Sequence, residues 1–275
     1  MKPAPFDYLR AESLEEALAA LDQQGSEARI IAGGQTLLPM LNMRLARPAL
    51  LIDIMRIPAL SAIWLEQDML VISAAVRQAT VLERPTLCNE VPLLAAVLPW
   101  VGHFQTRSRG TICGSVAHAD PSAEIPLCLV ALGGEIRLCS RRARRRVSAE
   151  QFFLGMMLTD KSDDELIEAV AFPKRRPGEG YAFAEVGRRH GDFAIVACAA
   201  VVGASRMRLA VAGVAERPIA RDFPALDGAA LDDALNAFAW ELDARDDIHA
   251  TARYRRDLVR RLGRKVIEEA AACRA

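Results

Sequence analysis

No two of the six cysteines, Cys88, Cys113, Cys128, Cys139, Cys198 and Cys273, stand at C-x-x-C spacing. The chain therefore has no local framework for a zinc or iron–sulfur site. Most of these cysteines lie in apolar runs, where a thiol behaves as a small hydrophobe. No apolar run reaches the length that crosses a bilayer. Met1-Lys2-Pro3-Ala4-Pro5 leads into a polar segment and not into an export signal. The simplest expectation is a cytoplasmic protein with reduced thiols. Neither charge is in excess, with Lys+Arg and Asp+Glu at 35 each. That balance gives no general reason to expect nucleic acid or a membrane surface as a partner. An obvious catalytic dyad is also absent.

What the chain does have is size and two glycine turns. Its 275 residues, 52% of them hydrophobic, suffice for two domains without covalent staples. Ala32-Gly33-Gly34-Gln35-Thr36 sits between the apolar run Arg29-Ile30-Ile31 and the apolar-periodic segment Leu37 to Leu45. The pattern predicts strand, tight turn and helix. Such a turn leaves backbone amides free at a helix N-terminus, where the dipole favours negative charge. Glycine removes the Cβ that would hold a phosphate away. Gly110-Thr111-Ile112-Cys113-Gly114-Ser115 repeats this chemistry downstream. Two such turns could hold a pyrophosphate from both sides, although Gly-Gly alone also marks plain strand-to-helix corners.

The first helix is predicted from Ser13, with Ser13 and Glu16 as a capping box and Gly25 as its stop. Ala49 to Ile54 gives the next strand, completing a βαβ unit with a parallel pair. Residues 58–173 begin with a hairpin, Ala62 to Ile72. They continue with short helices at Ala79 to Glu83 and between Pro92 and Pro99, a buried helix at Leu127 to Leu132, and strands at Glu135 to Leu138 and Glu165 to Pro173. Arg141, Arg142, Arg144, Arg145 and Arg146 read as a solvated hairpin loop, with an anionic partner surface as the sharper alternative. The polar link after Pro173 marks a domain boundary, giving domains 1–173 (lobes about 1–57 and 58–173) and 174–275. Three strands, Tyr181 to Val186, Ala194 to Val202 and Met207 to Ala212, predict an antiparallel meander, and the remainder reads as helical.

With their flanks, the two turns resemble the flavoprotein (medium) subunit of the molybdenum hydroxylases, the carbon monoxide dehydrogenase and xanthine dehydrogenase family. Ala32 to Met40 resembles its first FAD motif, followed by Arg44-Leu45-Ala46-Arg47-Pro48. Gly110 to Pro121 resembles the second motif. Arg188 to Ala194 resembles a third block, and Tyr254-Arg255-Arg256 the C-terminal helical pattern. The resemblance runs nearly end to end in order. It implies an α+β fold: a two-lobed FAD-binding domain of the vanillyl-alcohol-oxidase (PCMH) type, then a small α/β C-terminal domain with an antiparallel sheet and helices.

It also implies the site. Ala32, Gly33, Gly34, Gln35 and Thr36, flanked by Ile31 and Leu37, and Thr111, Ile112, Cys113, Gly114 and Ser115 would bind the FAD pyrophosphate and ribityl groups. Val101 and His118 would help shape the pocket. Glu124 would accept from ribityl or sugar hydroxyls. Leu166 and Ile167 would line the ring or adenine pocket, with Asp192 and Phe193 beside the isoalloxazine. His118, Asp120 and Glu124 are also metal-ligating types, but Pro121 breaks any helix that would align them. His190 reads as a solvated turn residue.

Three positions depart from the family pattern. Cys113 stands where glycine is usual. Gln35 replaces a frequent histidine and cannot form a histidyl–flavin bond, which implies a dissociable FAD. Glu185 replaces a frequent lysine and would disfavour an anionic reduced flavin. The function implied is electron transfer: a molybdenum-cofactor large subunit oxidises substrate, [2Fe-2S] clusters on a small subunit carry electrons, and FAD on this chain delivers them to an acceptor, within a hetero-hexamer. The alternatives are an FAD-free assembly subunit and a stand-alone flavin oxidoreductase.

Overall fold

The computed structural model describes residues 2–274. Helix Leu14–Gln24 opens as the sequence predicts: the Glu16 amide donates to Ser13 Oγ at 3.1 Å. The reciprocal bond reaches one residue further back, from the Glu12 amide to Glu16 Oε2 at 2.7 Å. Gly25 ends the helix at φ +50°.

The first lobe is a three-stranded parallel sheet of β1 (Asp7–Arg10), β2 (Ala28–Ile31) and β3 (Leu50–Asp53), in the order β1-β3-β2. The β2–β3 pair is the predicted one. β1 is an addition: Asp-Tyr-Leu-Arg carries no apolar run, and its partner, β3, orders it.

The second lobe is a five-stranded antiparallel sheet built from β4 (Ile63–Glu66), β5 (Met69–Ser73), β6 (Glu135–Cys139), β7 (Arg144–Ser148) and β10 (Leu166–Pro173), in the order β4-β5-β10-β6-β7. A two-stranded ribbon, β8 (Phe153–Gly155) and β9 (Leu158–Thr159), precedes β10. The arginine cluster is only partly a loop. Arg141 and Arg142 lie in the turn beside Asp22, whereas Arg144, Arg145 and Arg146 belong to β7. Arg145 pairs with Asp160 and Glu165, and Arg144 with Glu168. Charges paired this way leave little net field to attract an anionic partner.

After the link, β11 (Gly180–Val186), β12 (Val196–Val202), β13 (Arg206–Ala212) and β14 (Ile219–Pro224) form an antiparallel meander. β14 lies in the region expected to be helical; Ile-Ala-Arg-Asp-Phe-Pro alternates too weakly to be read alone, and pairing with β13 fixes it. Helices Gly228–Glu241 and Ala252–Ala272 pack on one face with Ala182, Ala184, Cys198, Leu209 and Val211 in a second core. The alternating residues Tyr181, Phe183, Ala197, Ala199, Ala210 and Ala212 face the first core instead. These alanines let helix Glu124–Leu132 of the second lobe approach the sheet closely.

Candidate FAD site

The first turn leaves β2 and enters helix Leu37–Asn42. Gly34 sits at φ +69°, a conformation that favours glycine. The helix N-cap, Thr36, makes no side-chain cap bond. Among the described residues, the amides of Gly33, Gly34, Gln35 and Thr36 donate to no protein acceptor. They lie at a short helix N-terminus with nothing among the described residues to satisfy them, and Ile31 and Leu37 flank them half-buried.

Helix Ile112–His118 follows the second turn. Thr111 caps it: its Oγ1 accepts from the Gly114 amide at 3.0 Å and its carbonyl from the Ser115 amide at 3.2 Å. A Cβ at Gly114 would sit 2.7 Å from that Oγ1, so the cap requires glycine. The Ile112 amide reaches the Val76 carbonyl at 3.4 Å, whereas the amides of Thr111 and Cys113 have no protein acceptor among the described residues. Cys113 is buried on the inner side of this helix, with its thiol 3.6 Å from the Ile72 carbonyl. Burial pushes that thiol far above the usual range. Its φ is not positive, so a side chain fits here without strain and points away from the free amides.

The turns meet. A Cβ on Gly33 would lie 2.2 Å from the Arg109 carbonyl oxygen and 2.7 Å from Gly110 Cα. Beneath the junction is Gln78, which sequence reasoning missed. It is buried; its amide donates to the Gly110 carbonyl at 2.8 Å and its Nε2 to the Thr111 carbonyl at 3.4 Å. Gln78 Oε1 has no hydrogen-bond partner among the described residues. The only signal in the sequence was a polar residue opening a short apolar helix.

The third block docks on the segment before the second turn. Gly191, at φ +86°, packs so closely on His103 that a Cβ would lie 2.6 Å from Cε1. Trp100 packs in tilted ring contacts against His190 at 4.9 Å and Phe183 at 6.2 Å. His190 is thus exposed, as expected, but it also packs against an aromatic ring. Val101 is buried, with its carbonyl held by Arg107 at 2.9 Å.

Asp192 and the exposed Phe193 line a cavity of about 700 Å³ with Asp120, Pro121, Ser122, Met156 and Met157. Its floor is tied together by the Gly213 amide on the Pro121 carbonyl (2.8 Å) and by buried Arg255, which donates to the carbonyls of Ile195 and Gly213 and pairs with Asp247. Neither glycine turn lines this cavity. Leu166 and Ile167 are buried at the start of β10 within the first core.

Burial lowers the pKa of the half-buried His118, with Asp120 opposing. Glu124 opens helix Glu124–Leu132 and is only 4% exposed. Burial, with Glu185 and Asp120 adding, pushes it up to about 8. Among the described residues no group of three His, Cys, Asp or Glu side chains is arranged to hold a metal ion. No helix among them is long and apolar enough to cross a membrane.

Residues 4–175 match the model for the FAD binding domain in molybdopterin dehydrogenase, and residues 181–270 that for the CO dehydrogenase flavoprotein C-terminal domain. The chain belongs to the FAD-binding medium subunits of the molybdenum hydroxylases. It is an oxidoreductase subunit with an FAD-binding domain. It is 36% identical to the 6-hydroxypseudooxynicotine dehydrogenase complex subunit alpha of Paenarthrobacter nicotinovorans, over 98% of this chain and 96% of that one. It is also 36% identical to the carbon monoxide dehydrogenase medium chain of Hydrogenophaga pseudoflava, over 81% and 79% respectively. The solved structure of carbon monoxide dehydrogenase from that organism, lacking the Mo-pyranopterin moiety of the molybdenum cofactor, superposes with a TM-score of 0.94 at 31% identity, over 100% of both chains. The α+β, two-part architecture implied by the motifs is the one found.

Proposed function

We propose that this medium subunit carries electrons through a non-covalently held FAD, from iron–sulfur clusters on a small subunit to an external acceptor. A molybdenum-cofactor large subunit oxidises the substrate. The observation that carries this reading is the junction of the two turns, where the free amides of Gly33, Gly34, Gln35, Thr36, Thr111 and Cys113 share one small region. That donor set fits a pyrophosphate: several N–H groups, two helix N-termini and no acidic side chain among the turn residues.

The flavin, when bound, supplies the redox chemistry. The chain's residues do the rest. The two turns hold the diphosphate, Gln78 fixes the backbone of the second turn from below, and Gln35 leaves the ring without a covalent tether. Glu124 is positioned as a hydroxyl acceptor, with His118, Val101, Leu166 and Ile167 giving shape. Asp192 and Phe193, on the C-terminal domain, border the outer cavity. The domains are assigned as 1–173 and 174–275, and the assembly as a cytoplasmic hetero-hexamer of two three-subunit units.

The test is a visible absorption spectrum of the purified chain before and after incubation with excess FAD and desalting. Near-stoichiometric flavin bands, released by denaturation, support the reading. No retained flavin under either condition, alone or with the partner subunits, refutes it.

A further inference from the structure

A second cavity, of about 290 Å³, lies where the two domains and their link meet. It shares no lining residue with the glycine turns or with the outer cavity. The FAD-binding domain supplies Glu150 and the C-terminal end of helix Glu124–Leu132. The link supplies Lys174, Arg176 and Glu179, and the meander Tyr181, Arg206, Arg208 and Asp222. Arg206 and Arg208 are two residues apart on β13, on the strand face that further along carries Ala210 and Ala212 toward the first core.

Four cations and three carboxylates line this space. The carboxylates are engaged. Glu150 and Asp222 both pair with Arg208. Glu179 accepts from the Tyr181 hydroxyl at 2.9 Å and pairs with Arg206 at 3.5 Å. The negative end of helix Glu124–Leu132 is also met, by Arg208 on the Val130 carbonyl at 3.3 Å. Arg208 still keeps a buried Nε with no hydrogen-bond partner among the described residues. Lys174 is half-buried and Arg176 exposed, and neither side chain makes an ion pair or hydrogen bond among the described residues. Glu90, which feels the charge of Lys174, is held by Arg84 at 2.6 and 2.8 Å. The cavity therefore carries one net positive charge, and two of its cations lack a counter-ion.

We propose that this interdomain cavity binds a small oxyanion, the phosphate or carboxylate group of a short metabolite, between Lys174 and Arg176 of the link and the Arg206–Arg208 edge of the meander. Arginine and lysine pair with such oxygens through charge-assisted hydrogen bonds, and the planar guanidinium can grip two oxygens at once. The volume sits at the bottom of the range for ligand pockets, about 300 Å³, so the ligand is small. Leu132, Pro173 and Val201 give it apolar walls that suit a short carbon body. Because both domains and the link contribute, an occupant adds contacts across the domain boundary and stabilises the folded chain by mass action. This inference does not rest on the flavin reading.

The experiment is isothermal titration calorimetry of the full chain with inorganic phosphate and with succinate, in chloride buffer of fixed ionic strength, using wild type, Lys174→Met and Arg176→Met. Neither substitution breaks an ion pair, so both variants should keep the thermal midpoint of the anion-free wild type. We expect saturable one-site binding of at least one anion to the wild type. Each variant should bind it more weakly, by roughly fivefold or more, as the loss of one charge contact requires. The anion should also raise the thermal midpoint of the wild type more than that of either variant. Binding of phosphate alone identifies a phosphate ligand, and binding of succinate alone a carboxylate; either supports the site. No saturable heat with either anion up to about 10 mM, weaker than useful recognition, overturns it. Equal affinity in wild type and both variants also overturns it, because the anion is then held elsewhere on the surface.

Discussion

A Cβ on Gly33 would lie 2.2 Å from the carbonyl oxygen of Arg109. These residues are far apart in sequence, and no side chain mediates their contact. Backbone meets backbone where the two glycine turns close on each other, so the site's geometry is set by how near two loops can come.

Gly33→Ala is therefore expected to push the turns apart. Real Cβ atoms do not approach a carbonyl oxygen this closely, and the neighbour is backbone that cannot swing away. We expect retained FAD to fall by at least tenfold and stability by about 2 kcal/mol, in the range of strained or overpacked substitutions. Flavin absorbance after desalting and a denaturant titration check both.

Thr111→Val removes the hydroxyl that accepts from the Gly114 amide while keeping the side chain's volume. Loss of an N-cap costs about 1 kcal/mol. The thermal midpoint should fall by a few degrees, and flavin should be held less tightly because the second turn loses its brace. Equal FAD affinity in wild type and variant would show that the cap serves the helix alone.

Cys113→Gly restores the residue usual in the family but removes a thiol packed against β5. The Cys113 backbone does not need positive φ, and its side chain faces inward. The substitution should destabilise the chain by about 1–2 kcal/mol without raising FAD affinity. Tighter flavin binding in the variant would contradict this placement of the thiol.

Stability should also depend on pH through Glu185, whose Oε2 is buried without a hydrogen-bond partner among the described residues. Burial raises Glu185 from an ordinary 4.5 to about 7. A carboxyl group with a raised folded pKa favours the folded state most below its unfolded value, and that contribution is lost as pH rises through the folded value. Wild type should therefore weaken relative to Glu185→Gln between about pH 5 and 8, by about 1 kcal/mol once solvent screening of the partly exposed carboxyl is allowed for. Denaturant midpoints of both proteins across that range decide the point; parallel curves would place Glu185 in contact with solvent.

Much of the chain was legible as sequence because its signals are local. The capping box at Ser13, the strand–turn–helix at Ala32 to Thr36, and the alternation that makes a meander of Tyr181 to Ala212 depend on neighbours a few residues away. β1 and β14 were not legible, because each is a strand through its hydrogen-bonded partner and not through its own pattern. The arginines of β7 read as a loop because their acidic partners are distant in sequence: Asp160, Glu165 and Glu168 for Arg144 and Arg145, and Glu66 and Glu135 for Arg146.

The sequence by itself determined the two glycine turns proposed to hold phosphate, since glycine and helix N-termini act through local backbone geometry. Only the tertiary structure decided that Gly33 touches Arg109, that Gln78 lies beneath them, and that Cys113 turns inward. Those contacts join segments distant along the chain, and their energies come from close packing and from the low dielectric of a buried interface, which no local pattern encodes.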